Sequence, residues 1–463
     1  MSALPCGWAT AAIADVATFN PKTLAEDSLN AAFAPMQYLG TRYRHRMAFE
    51  QKPWGEIKKA YVHFQPRDVI VAKVTPCFEN GKAGVAPPLP NNIGAGSSEF
   101  CVFRPFQGID GRYLLAWLST EDFRRRATVA MTGSVGLKRV PKEVFLTEEI
   151  PLAPKQEQRR IADKLDTVLA HVDAVNERLA RVAPLLKRLR QSVLAAATSG
   201  RLTEDWREGA PDWKILRADE ICEKVQSGGT PKAGFSENGV PFLKVYNIVD
   251  QKVDFHYRPQ YVADVVNSSE LRKSQVKPGD VLMNIVGPPL GKVAIVPSTY
   301  DAWNINQAIT LFRPSEAISA QWIYAVLCEG APIRAVLSST KGSVGQVNIS
   351  LSQCRAFDFP VPSTEEQTEI VRRVELLFAY ADRLEARLQS AQTAANRLTP
   401  ALLAKAFRGE LVPQDPDDEP AAELLRRLAE SRSSLAAKPR KPRNTAYKNT
   451  QNPAPQSAQE KPL

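Results

Sequence analysis

Long apolar runs are missing from this chain of 463 residues. No uninterrupted stretch approaches the roughly 18 to 20 residues that span a bilayer. The N-terminal "MSALPCGWATAAIADV" has no basic region ahead of its apolar residues, which argues against a signal peptide. Cysteine is sparse and scattered (Cys6, Cys77, Cys101, Cys222, Cys328, Cys354), with no CxxC pair and no histidine at zinc-ligand spacing. That pattern speaks against a disulfide scaffold and a structural zinc site, and predicts reduced thiols in a soluble, cytoplasmic protein with no metal and no membrane partner.

Catalytic signatures are missing too. The string nearest to an (Asn/Asp/Ser)-Pro-Pro-aromatic methyltransferase motif is "GPPL" from Gly287, wrong at both ends. "GPPLGKV" is one residue short of a phosphate loop and lacks the Ser or Thr after Lys292 that would hold magnesium. "PDWK" and "EIK" resemble nuclease fragments, but acidic-x-Lys triplets arise by chance. The chain is expected not to be an enzyme. A formal charge of +10 is half explained by the tail, where six Lys or Arg from Lys438 to Lys461 face only Glu460. The body is mildly basic, compatible with a nucleic-acid partner.

What the sequence does contain is a duplication. Phe103 to Leu202 aligns with Phe312 to Leu411 at a constant offset of 209, with "FRP", "GSVG", a Glu-Gln pair and Gly-x-Leu recurring in step. Upstream, "PRDVIV" from Pro66 resembles "PGDVLM" from Pro278, and Trp8 resembles Trp213. Each half therefore reads as a globular module of about 150 residues followed by a helical segment.

After the junction "IPLAPKQEQRRI", apolar residues at Ile161, Leu165, Val168, Val172, Val175, Leu179, Val182, Leu186, Leu189 and Val193 follow alternating steps of four and three, the seam of a coiled coil. The second copy, after "FPVPSTEEQTEI", repeats the phase at Ile370, Val374, Leu377, Leu384, Leu388, Leu398 and Leu402. Pro184 and Pro400 interrupt the patterns and predict kinks. Glu157-Gln158 and Glu366-Gln367 fall in the first helical turns, where they are expected to satisfy free backbone amides. A helix from Lys155 to Ser199 would be ~68 Å long, whereas the linker before Trp213 reaches at most ~35 Å. The second helix should then run back along the first, antiparallel to it.

In their order and duplication, "VIVAKVTPCFENGKAGVA" (69–86), "SSEFCVFRP" (97–105), "MTGSVGLKRVP" (131–141), "SGRLTEDWR" (199–207), "PFLKVYNI" (241–248), "KPGDVLMNIVG" (277–287) and "DEPAAELLRRL" (418–428) resemble the specificity subunit of type I DNA restriction-modification systems. The resemblance covers nearly the whole chain to about residue 430; the tail beyond departs from the pattern and reads as disordered. It implies an α+β fold in which two similar mixed α/β target-recognition domains are separated and joined by two long antiparallel coiled-coil helices, with pseudo-two-fold symmetry. The expected boundaries are 1–150 and 204–360 for the recognition domains, 151–203 and 361–412 for the spacer helices, and 413–463 for a short helix and basic tail.

It further implies that the chain reads a bipartite, asymmetric site on double-stranded DNA and docks two modification subunits and two restriction/translocase subunits. The chain would hold no cofactor; S-adenosylmethionine, ATP and magnesium would belong to the partners. The alternative is a non-catalytic coiled-coil scaffold that presents two protein-binding modules without DNA.

Candidate DNA contacts follow from side-chain chemistry, because cations position on phosphates while amides and guanidinium forks read base edges. In module one they are Arg42, Tyr43, Arg44 and Arg46 of "TRYRHR"; Lys73, Asn80 and Lys82; and Ser134, Lys138 and Arg139 around "GSVG". In module two they are Lys244, Tyr246 and Asn247; Asn284 and Lys292; Asn306 and Gln307 beside Asn304; and Lys341, Ser343 and Gln346. Arg124 to Arg126 are expected on a solvated helix face and His171 on the surface.

Overall fold

The computed structural model describes residues 4–41, 43–45, 47–134, 136–209, 212–339 and 348–436. Arg42, Arg46, Lys341, Ser343, Gln346 and the tail from residue 437 lie outside the described residues. The chain forms two compact units, one of residues 1–176 with 394–463 and one of residues 177–393.

In the first unit, strands Ala17–Phe19, Phe100–Pro105, Val69–Ala72 and Ala83–Val85 form an antiparallel sheet in that order. A second sheet runs Glu50–Pro53, Asn30–Ala34, Gly94–Gly96, Val62–Phe64, with its central pair parallel. The second unit repeats both. Cys222–Ser227, Ile309–Pro314, Val281–Asn284 and Val293–Ile295 make one sheet. Tyr261–Val262, Val240–Leu243, Trp303–Ile305 and Gln275–Val276 make the other, again with a parallel central pair.

The sequence pattern explains why the two central strands of the first sheet in each unit are largely apolar. Successive side chains alternate between faces. Val69, Val71, Cys101 and Phe103 enter a core built with helix Gly111–Leu118, while Ile70, Ala72, Phe100 and Val102 enter a separate core under the second sheet. Val281, Met283 and Phe312 against Leu282 and Leu311 repeat the division. Both faces are buried, so the polar side chains present there are hydrogen-bonded: Asn284 donates to the Pro289 carbonyl, and Thr310 pairs with Ser227. At the start of each central strand an acid closes onto an arginine: Asp68 accepts from Arg104 at 2.8 Å, and Asp280 from Arg313 at 2.6 Å.

The two 44-residue helices, Lys155–Thr198 and Thr364–Phe407, run unbroken through Pro184 and Pro400. Each ends at a glycine with left-handed backbone, Gly200 (φ 77°) and Gly409 (φ 72°), the geometry that stops a helix without a Cβ penalty. Each helix gives one half to each unit. In the second unit Arg190 meets Asp382 and Glu385, while Arg373 meets Asp205 and the Leu202 carbonyl just beyond the end of the first helix; rising numbers along the first segment thus face falling numbers on the other helix. Charge favours this antiparallel sense. From Arg178 to Thr198 the first helix has five basic residues and no acid, whereas its partner stretch carries Glu365, Glu366, Glu369, Glu375, Asp382 and Glu385. A parallel pair would set the basic halves against each other.

The expected seam needs correction at several positions. Ile161, Leu165, Val172, Leu186, Ile370, Val374 and Leu388 are buried, and Leu179, Leu377 and Leu384 are half-buried. Leu189, however, is 37% exposed and Leu398 46% exposed, while Val168 and Leu402 yield the buried positions to Leu169 and Leu403. A straight helix of 3.6 residues per turn drifts by about 20° per heptad from a 3.5 repeat, so a strict heptad reading walks off the contact face.

The repeated Glu-Gln pair joins module to helix rather than capping the helix. Strand Ala9–Ala12 pairs antiparallel with Glu149–Leu152 in register Ala9 to Leu152, which carries Trp8, one residue outside, to the first helical turn. There its indole N–H donates to Glu157 at 3.0 Å. Gln158 accepts from the Asp110 amide at 3.1 Å and donates to the Ala153 carbonyl at 2.9 Å. In the second unit, Lys214–Arg217 pairs with Asp358–Val361, Trp213 donates to Glu366 at 2.8 Å, and Gln367 accepts from the Ser319 amide at 3.0 Å.

Candidate nucleic-acid interface

In the first unit three loops leave the strand ends near Ala72 and are tied to one another. The Gly40 carbonyl accepts from the Ala83 amide at 3.1 Å, and Lys82 Nζ donates to the Met36 carbonyl at 2.9 Å. These two bonds join the segment around residues 36–45 to the loop at 73–83. Thr75 and Lys138 then exchange bonds, Thr75 N to Lys138 O at 2.9 Å and Lys138 N to Thr75 Oγ1 at 3.0 Å, fixing hairpin Thr132–Ser134/Leu137–Arg139 beside that loop. Arg139 is clamped on Glu99 by two nitrogens, with Nη2 to Oε1 at 2.8 Å. The Arg139 guanidinium holds the Glu99 carboxyl below its ordinary value.

This cluster leaves Arg44, Asn80, Ser134 and Lys138 exposed and Lys73, Lys82 and Arg139 half-buried. Tyr43 is a correction. Its hydroxyl donates to the Arg112 carbonyl at 3.1 Å, burial pushes its pKa up, and its ring packs against the core, so it is no stacking platform. Arg124 is another. It is drawn under the 78–83 loop, with its guanidinium donating to the Glu79 carbonyl, whereas Arg125 and Arg126 are exposed and pair with Asp122. His171 is exposed.

In the second unit the corresponding loops are again joined. Lys292 Nζ lies 3.5 Å from the Val245 carbonyl, the Asn306 amide donates to the Leu243 carbonyl at 3.0 Å, and Thr230 donates to Gln307 at 2.5 Å. Gln307 is exposed, and Lys244, Tyr246, Lys292 and Asn306 are half-buried. Lys244 Nζ sits 4.4 Å from the centre of the Phe235 ring, and Tyr246 packs edge-on against Tyr257.

Three amides expected to read bases are instead structural. Asn247 is buried, donating to the Asp254 and Tyr257 carbonyls and accepting from the Lys244 amide. Asn284 is buried, donating to the Pro289 carbonyl at 2.8 Å and accepting from the Lys292 amide at 2.7 Å. Asn304 is spent on Asn267 and Leu271. The carboxamide oxygen of Asn306 is enclosed as well. Short amide side chains satisfy turn backbones as readily as they reach a ligand, and sequence does not separate the two roles.

Four of the six thiols are unsuited to nucleophilic chemistry. Burial pushes the thiols of Cys101, Cys222, Cys328 and Cys354 up to about 12, far from a nucleophile at neutral pH. Among the described residues no helix is long and apolar enough to cross a membrane.

Two modules of one topology, each with a tied cluster of polar loops at the same strand ends and each bolted to a long helix by the same Trp-Glu-Gln set, are matched by known proteins. The family of type I restriction modification DNA specificity domains matches residues 5–183 and 211–391. The specificity subunit of the type I restriction enzyme EcoBI of Escherichia coli is 32% identical over 334 residues, covering 67% of this chain and 70% of that protein. The StySPI specificity subunit of Salmonella potsdam is 29% identical, covering 94% and 97%. Two solved structures share the fold. The HsdS subunit from Thermoanaerobacter tengcongensis has a TM-score of 0.59 at 21% identity, over 88% of this chain and 98% of that one. A chain from a study of complex assembly and conformational transition of the type I R-M system has a TM-score of 0.68 at 20% identity, over 89% and 100%. The matched segments span most of both halves, and the chain belongs to the family of type I restriction-modification DNA specificity subunits.

Proposed function

We propose that this chain is the sequence reader of a type I restriction-modification complex, each module contacting one half of a bipartite, asymmetric site on double-stranded DNA. The observation that carries this is repetition with difference. Both modules offer loop clusters at the same sheet ends, but one presents Arg44, Asn80, Ser134 and Lys138 while the other presents Lys244, Tyr246, Lys292 and Gln307. One fold with two different polar surfaces suits two different half-sequences.

In this reading the chain does no chemistry itself. It directs two modification subunits, which use S-adenosylmethionine to methylate adenine N6, and two restriction subunits driven by ATP and magnesium. The long helices dock partners and set the length of DNA left unread.

The test is methylation mapping in a methylation-free host expressing this chain with its modification subunit, against the modification subunit alone. A new N6-methyladenine motif in two short halves around a fixed gap is expected. Co-purified subunits that leave no mark, with no salt-dependent binding to duplex, would favour a protein scaffold instead.

A further inference from the structure

Beneath the loops of module one, against the helices of the same unit, lies a cleft of about 230 Å³. Its floor is apolar, with Phe78, Leu169 and Leu403, but its walls carry Arg44, Lys82 and Arg124 against a single carboxylate, Asp173. Thr41 and Ser119 line it as well, with the Ser119 hydroxyl donating to the Leu115 carbonyl at 2.7 Å.

Arg124 is the unusual member. It is half-buried, its guanidinium donates to the Glu79 carbonyl, and its Nε is enclosed without a partner. A guanidinium taken from water with donors in excess of its acceptors costs stability unless something fills them. Arg44 has a loose partner, with Nη1 3.8 Å from Asp173.

Module two shows the same frame with a different side chain at this place. Lys292 repeats the contact of Lys82, with its Nζ toward the Val245 carbonyl where Lys82 reaches Met36. At the position of Arg124, 209 residues later, stands Ile333, which is buried. A Cβ added at Gly81 would lie 2.9 Å from Arg124 Nη1, and one added at Gly291 would lie 2.9 Å from Ile333 Cδ1, so the two side chains occupy the same place beneath equivalent loops. One module plugs the space with a hydrocarbon; the other lines it with a cation.

We propose that the cleft in module one binds a phosphate group, held by Arg124 and Arg44 with Lys82 beside them. Three cations lining one small cleft suit a multiply charged oxyanion with several acceptor oxygens. The phosphate comes either from the backbone of the duplex at the half-site of module one, a source that rests on the proposed function, or from a free phosphorylated molecule.

The experiment uses the full chain in complex with its modification subunit. Inorganic phosphate is titrated calorimetrically at constant ionic strength into wild type, Arg124→Ile and Arg44→Gln. Phosphate-ethylation interference is then mapped on duplex carrying the methylated motif. Thermal midpoints monitor folding, and Arg44→Gln, at an exposed position, guards against a misfolded Arg124→Ile. At least a tenfold weakening of phosphate binding in each variant is expected.

If one backbone phosphate in one half-site also stops interfering in Arg124→Ile, the duplex is the source. If phosphate binding weakens while the interference pattern is unchanged, the ligand is a free phosphorylated molecule. Phosphate binding and interference that are both the same in wild type and variants would overturn the inference. Should that happen while wild type still methylates its motif, the inference falls and the functional reading stands. A complex that methylates nothing sinks the functional reading, and the phosphate titration still judges the cleft.

Discussion

The two module-to-helix joints are built on one plan and finished differently. Glu366 receives three donors: Trp213 at 2.8 Å, Thr203 at 2.8 Å and Arg207 at 2.8 Å. Glu157 receives the indole of Trp8, and its other oxygen, Oε1, is enclosed without a partner. The difference follows from chain order. The second joint is wrapped by the linker that enters module two, which delivers Thr203 and Arg207. The first is approached by the N-terminal segment, which brings Trp8. In place of such a linker the C-terminal segment folds back onto the first unit, where Asp418 pairs with Arg160 at 2.6 Å, the Ala421 amide donates to the Gly7 carbonyl at 2.8 Å, and Arg432 reaches Asp15 at 3.0 Å. A buried carboxylate is therefore well satisfied in one joint and poorly in the other.

Removing the cation from the better joint should have the largest effect. Arg207 and Glu366 are 10% and 6% exposed, so Arg207→Ala strands a buried charge and is expected to cost about 3–5 kcal/mol, read as a lower urea midpoint for the transition of the second unit. A loss under 1 kcal/mol would mean that the two joints do not differ in this way. Trp8→Phe, which deletes the only side-chain donor to Glu157 among the described residues, should cost about 1.5–3 kcal/mol in the first unit.

Glu157→Gln sharpens the comparison by sign. Burial pushes the Glu157 carboxyl above its ordinary 4.5, with the Trp8 bond opposing. A folded-state pKa raised above the unfolded value gives stability that is fully present below about 4.5 and is lost as pH rises through the folded value. At pH 7, Glu157→Gln should therefore be neutral or slightly stabilising, and wild type should gain on the variant as pH is lowered toward 4.5 in paired thermal melts. A variant that loses stability at pH 7 and keeps the deficit at every pH would refute this. A modest, salt-dependent effect is expected from Arg190→Glu, which sets like charges against Asp382 and Glu385. It should cost about 1 kcal/mol in low salt and much less in 1 M salt.

The seam, the duplication and the helix ends were legible because they depend on local spacing. Ile161, Leu165 and Ile370 are where the period puts them. The task of Glu157 was not legible, because its partner stands 149 residues away and arrives only through the register of Ala9 with Leu152. A readable signal was nevertheless present: a Trp immediately before the first strand in both copies. The acid-free stretch 178–198 was another, and it specifies helix direction independently of linker length. The candidate interface was legible only as segments. Asn247 and Asn284 carry the side chains a base reader needs, yet their bonds are spent on the turns that hold their neighbours.

The strands at 69–72 and 100–103, and their counterparts at 281–284 and 309–312, serve two cores at once. Each module is thereby a keystone arrangement: neither layer can be removed, exchanged or loosened without undoing the other. Variation is expelled from the sheets to the loops at their ends. A new DNA preference can then arise by rewriting loops or by importing a whole module, but not by trading half of one.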